Sequence, residues 1–224
     1  GVIVPPETYF EKIQAVLRKY DVLMVADEVI CGFGRTGKMF GSLTFGIKPD
    51  ILTCAKALSS GYVPISAVMV SPAIYTAMAA NSNKIGTFGH GYTYSGHPVA
   101  AAVALETLQV YEDEHILDHV NTISPLFQKR LRGYLDRPNV GEARGVGLIG
   151  AIELVADKTT KAPFPTELKV GARLAQYAQD EGLIVRAMGD AIALCPPLII
   201  TETEMADLFA RLDRALDKLQ ATLK

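Results

Sequence analysis

Three short apolar runs constrain this chain most: VLMVADEVI (22–30), ILTCAKAL (51–58) and ISAVMVS (65–71). Each is short, apolar and rich in strand-forming residues, which marks buried strands rather than helices. Helical spacing appears between and beside them. Phe10, Ile13, Val16, Leu17 and Tyr20 recur on one face of 8–20, Pro72 stands at the first position of a following helix, and VAAAVALETLQVYED after Pro98 is rich in good helix formers. Past about residue 110 the order changes. Helices fill 114–137, with Ser124-Pro125 reading as the cap and first residue of a second helix. RGVGLIGAIELV (144–155) reads as one strand and 166–181 as a helix. GLIVRAMG and AIALCPPLII read as two further strands, and Thr201 with Glu204 forms a capping box for a last helix. The expected fold is α/β. Part of a mainly parallel sheet flanked by helices occupies 1–108, and a smaller α+β domain occupies 109–224.

Composition removes several functions. Net charge is −2 over 224 residues, so no basic excess points to nucleic acid. No apolar run approaches the roughly 20 residues of a membrane helix. The first residues carry no basic flank or apolar core of a secretory signal. Cys31, Cys54 and Cys195 are odd in number and widely spaced, which implies free thiols and a cytoplasmic location. The opening VIV followed by Pro5 and Pro6 reads as a strand end, so further sequence is expected ahead of it.

The glycines at 32, 34 and 37 spell GxGxxG, and Lys38 extends them toward a phosphate loop. Neither reading holds. A dinucleotide site needs a helix directly after the third glycine, and KMFGSLTFGIKPD is a poor one. A phosphate loop needs Ser or Thr after its lysine, and position 39 is Met.

Asp27 closes the first apolar run and Lys56 the second, 29 residues on. Each alone reads as a cap, a surface ion pair or a snorkelling lysine. A metal pair of Asp27 with Glu28 is poor, because strand neighbours point to opposite faces. Together, an acid and an amine at strand ends lie where open α/β sheets bind ligands. Pyridoxal phosphate needs that pair: an amine for a Schiff base, and an anion that keeps the pyridine nitrogen protonated. The released lysine would serve as the base for the proton shift.

ADEVICGFGRTGKMFG, PDILTCAKALSSGYVPISAV and GHGYTYSGHPVAAAVALETL together resemble the class III aminotransferases of fold type I, nearest to the pyruvate-using ω-aminotransferases. The resemblance covers the whole chain but only the C-terminal part of such proteins. It implies a pyridoxal 5′-phosphate enzyme that moves an amino group from an amine or ω-amino acid to a keto acid, pyruvate by expectation, in a ping-pong cycle. It implies that Asp27 holds the pyridine nitrogen, Val29 on the same strand face packs on the ring, and Lys56 binds the cofactor covalently. Thr93, with Tyr92 beside it, would complete the phosphate site of the neighbouring subunit in a homodimer. Arg186 would receive a substrate carboxylate. Beside these roles stand plainer ones: a core valine, a loop threonine, and an arginine in an edge ion pair. An aminomutase of the same fold, or an inactive piece serving only in assembly, is the alternative. No metal is expected. His115 and His119, four apart on a helix, have a spacing zinc can use but no third ligand, so a solvated helix face is expected. His90 and His97 are expected to be structural.

Overall fold

The computed structural model describes residues 1–223. They divide into two compact units, Pro5–Leu117 and Asp118 onward joined by Gly1–Val4. The expected boundary at 108 falls inside a helix that runs unbroken to Asp113.

In the first unit, α1 (Tyr9–Lys19) precedes β1 (Val25–Asp27), and a glycine-rich loop follows with a short helix α2 (Gly41–Thr44). Next come β2 (Ile51–Cys54), a 3₁₀ turn at Lys56–Ser59, β3 (Ala67–Val70), α3 (Pro72–Ile85) and α4 (Pro98–Asp113). The sheet order is β1-β2-β3. β1 and β2 are parallel, with Asp27 opposite Thr53. β3 is antiparallel to β2. Both proline-started helices begin where expected, with Pro72 and Pro98 in the first turn. Apolar burial here is modest: Phe33, Leu52, Cys54, Leu58, Ala104 and Tyr111 are covered, while Val25, Val68 and Leu105 lie open.

The second unit starts within α5 (Ile116–Arg132) and continues through β4 (Val140–Val146), β5 (Ile149–Leu154), α6 (Val170–Asp180), β6 (Arg186–Met188), β7 (Ala191–Leu194) and α7 (Glu202–Thr222). Its antiparallel sheet has the order β4-β5-β7-β6. Two expectations are corrected. Residues 144–155 are not one strand but a hairpin, because Gly147 at φ +56 turns the chain and Val146 pairs with Ile149. Pro125 does not start a helix but lies inside α5. Val120, Ile123, Phe127 and Leu131 are buried along one stripe that crosses the proline, and that burial outweighs the lost backbone bond. The Ser124 hydroxyl donates to the Val120 carbonyl (2.5 Å) instead of capping. The capping box at Thr201 and Glu204 forms as read. Among the described residues no helix is long and apolar enough to cross a membrane.

Candidate active site

Parallel pairing brings the carboxyl ends of β1 and β2 side by side. Asp27 is the last residue of β1, and Lys56 follows β2 by two residues. The Asp27 Oδ1 accepts from the Val29 amide at 3.0 Å and, weakly, from the Thr53 hydroxyl at 3.4 Å. These contacts fix the carboxylate in an Asx-type turn and leave its other oxygen open. Lys56 is exposed, and among the described residues its Nζ has no hydrogen-bond or ion-pair partner. Its backbone stands at φ +48, in the left-handed region, which costs a non-glycine residue roughly 1 kcal/mol or more. Such positions concentrate at functional sites.

Val29 is not on the strand. β1 ends at Asp27, and Val29 lies in the turn that follows, half-buried, its amide spent on Asp27. The two-residue strand period that linked the two therefore does not apply. Tyr92 and Thr93 lie in the irregular segment between α3 and α4, both exposed, with the Tyr92 ring 4.9 Å from that of His90. Arg186 opens β6 in the other unit and is exposed. His119 is not on a solvated face; its ring nitrogen lies 3.0 Å from the Ile200 carbonyl oxygen. Among the described residues no group of three or more His, Cys, Asp or Glu could hold a metal ion.

Sequence reasoning set Glu28 aside, yet it organises this end of the sheet. Its side chain is 3% exposed. Its carboxylate accepts from the Gly41 amide at 2.8 Å and the Ser42 amide at 2.6 Å, its own amide donates to the Thr53 carbonyl, and its carbonyl accepts from Gly32. A buried carboxylate is tolerated where it is hydrogen-bonded in this way. Position 41 must be glycine, since a Cβ would come within 2.8 Å of Cys31 Cβ and 3.1 Å of Glu28 Oε2. The glycine-rich loop is thus folded onto Glu28 rather than around a nucleotide. Burial pushes the Cys54 thiol up, partly offset by a hydrogen bond with the Ala67 backbone and helped by the Glu28 charge.

An anion at one strand end beside an amine at the next is the donor set that a pyridine nitrogen and an aldehyde require. The aminotransferase class-III family model matches residues 1–216. The chain belongs to the class III aminotransferases. Enzymes of this family depend on pyridoxal 5′-phosphate. This class III chain is 51% identical over 216 residues to gamma aminobutyrate transaminase 3, chloroplastic, of Solanum lycopersicum, a match covering 96% of the chain and 42% of that protein. It is 54% identical over 208 residues to gamma-aminobutyrate transaminase 1, mitochondrial, of Oryza sativa subsp. indica, covering 93% of the chain and 40% of that protein. The omega transaminase from Pseudomonas jessenii in complex with PMP superposes with a TM-score of 0.97 at 52% identity, over all of this chain and 49% of that one. A transaminase with L-alanine gives the same TM-score and identity, over 53% of its chain. The chain therefore spans less than half the length of the curated relatives it matches.

Proposed function

We propose that the enzyme carrying this chain transfers an amino group from an amine or ω-amino acid to a keto acid, with pyruvate as acceptor, by a ping-pong cycle on pyridoxal 5′-phosphate. The observation that carries the reading is the Asp27 carboxylate and the Lys56 amine at the carboxyl ends of the adjacent parallel strands β1 and β2. When bound, the cofactor supplies a carbonyl carbon that takes up the amine and a protonated ring that accepts electron density. Asp27 keeps the ring nitrogen protonated, and its contacts with the Val29 amide and Thr53 hold the carboxylate in one orientation. Lys56 would bind the cofactor covalently. Once displaced by substrate, its amine would take the proton from the carbon that bears the amino group. Val29 packs against the ring, and Tyr92 and Thr93 complete the phosphate site of the other subunit of a homodimer. Arg186 receives the substrate carboxylate through its guanidinium fork.

The relatives support the substrate class. Gamma-aminobutyrate is an ω-amino acid, and L-alanine, present with one structural relative, is the amino acid formed from pyruvate. Residues 5–117 then belong to the large cofactor-binding domain and residues 118–224 to the small domain. Cys54 and Cys195 form no disulfide, which favours a reducing compartment such as the cytosol. The test is a half-reaction. The pyridoxal-phosphate-loaded enzyme, given gamma-aminobutyrate and no acceptor, should release one equivalent of carbonyl product and retain pyridoxamine phosphate. Pyruvate should then restore the cofactor and yield alanine. Migration of the amino group within one substrate molecule, with no need for a keto acid, would make the enzyme an aminomutase.

A further inference from the structure

We propose that Asp190 is a positioning residue for Arg186, and that it sets how well the site recognises carboxylate-bearing substrates. The inference rests on the reading of Arg186 as the carboxylate-binding group. Arg186 opens β6, a strand of three residues at the edge of its sheet. Its sheet partner is β7, with Arg186 opposite Ala193, and among the described residues no second strand pairs with it. A strand this short depends for its position on the turn that ends it.

That turn is Gly189-Asp190, with Gly189 at φ +60. Asp190 is held on two sides. Its carbonyl accepts from the Leu154 amide at 2.9 Å, at the end of β5. Its Oδ1 accepts from the Gly171 amide at 2.8 Å, in the first turn of α6. α6 has no cap of its own: Lys169 at its start is in the left-handed conformation, and no side chain of that residue caps the helix. The carboxylate supplied from 19 residues on meets one of the helix's otherwise unpaired amides and favours the positive end of its dipole. The fit is close. A Cβ at position 171 would lie 2.0 Å from the Gly189 carbonyl oxygen, so glycine there lets the turn reach the helix. Gly171 permits the approach and Asp190 bonds across it. The β6–β7 hairpin is thereby pinned at its turn, with Arg186 at the other end of the short strand.

The test compares L-alanine with a simple arylalkyl amine in the loaded enzyme, well below each variant's unfolding midpoint. Asp190→Ala should raise the KM for alanine about fivefold or more, with kcat/KM for the amine within about twofold of wild type. Asp190→Ser should do the same, because its hydroxyl is one bond too short to reach Gly171, while it keeps a polar turn residue. Asp190→Asn retains a side-chain oxygen acceptor and should restore alanine binding. Adding Asp190→Ala to Arg186→Ala should raise the alanine KM no further, the non-additivity expected of groups that act through one another. Wild-type alanine KM in both Asp190→Ala and Asp190→Ser, equal losses on both substrates, or full additivity with Arg186→Ala would overturn the inference and leave the role of Arg186 intact. An unchanged alanine KM in Arg186→Ala would overturn the role of Arg186, and the inference with it.

Discussion

Within this chain, residues 118–223 cover most of their apolar side chains, whereas residues 5–117 cover fewer and fix their loops with polar contacts. In the later unit Val120, Phe127, Leu131, Ile152, Leu212 and Leu219 have no solvent exposure at all. The rings of Phe127 and Tyr134 lie 5.6 and 6.0 Å from that of Phe209, and Arg130 lies over the Tyr134 and Phe209 rings. In the earlier unit large apolar side chains such as Val25, Val68 and Leu105 lie open. What holds its loops are groups such as Glu28 on Gly41 and Ser42, Thr36 against Thr44, and Ser59 on the Val63 carbonyl. Asp27 and Lys56 both lie in the earlier unit. Around both, the loops at the strand ends are fixed by directional bonds.

The largest effect expected is on Lys56. Lys56→Ala should abolish amino transfer while leaving the fold mostly intact, since among the described residues its side chain is exposed and has no polar partner. Amino transfer followed alongside thermal unfolding checks this, and a variant with wild-type turnover would separate the site from β2. Asp27→Asn should keep the cofactor bound but slow the half-reaction by on the order of a hundredfold or more, because a carboxamide cannot hold the ring proton. A single-turnover loss under about tenfold, roughly 1.4 kcal/mol, would make Asp27 a turn residue only.

Stability variants sharpen the contrast between the units. Phe127→Ala should cost about 3–5 kcal/mol, because it empties a site with no exposure in the later unit. Val25→Ala, at a position of β1 that nothing else in residues 1–224 covers, should stay within about 0.5 kcal/mol when these 224 residues are unfolded on their own. Denaturant titration of both would show whether apolar burial divides as described; similar costs at the two sites would contradict it.

The smallest effect lies at the C-terminal end of α6. The Glu181 carboxylate is bonded by Arg214 at 2.6 Å and Lys218 at 2.6 Å, and these bonds hold its pKa down to about 2. A depressed carboxylate stabilises the fold above its unfolded value near 4.5, and that contribution fades as pH falls from there toward 2. Acid titration of the later unit's unfolding midpoint should therefore be shallower in Glu181→Gln than in wild type between those values. Parallel curves would mean the ion pairs add nothing.

Much of this was legible from residues. The prolines at 72 and 98 and the Thr201–Glu204 box are local signals, and each helix starts where its signal stands. The pairing of Asp27 with Lys56 was legible because each charge interrupts an apolar run. What escaped depended on contacts distant in sequence. Pro125 sits inside α5 because residues on either side of it share one buried stripe. The hairpin at Gly147 carries no Asn-Gly or Asp-Gly, and its flanks form one continuous apolar run. Glu28 finds its amides 13 and 14 residues on, and no local pattern announces that bond.

Lys56, the strand-end lysine of the earlier unit, is the proposed attachment point of the cofactor. Borohydride reduction of the pyridoxal-phosphate-loaded enzyme, followed by peptide mapping, tests it directly. One pyridoxyl-modified lysine, Lys56, is expected, with no stoichiometric labelling in Lys56→Ala. A stoichiometric label on any other lysine, or equal labelling of the Lys56→Ala variant, would contradict it.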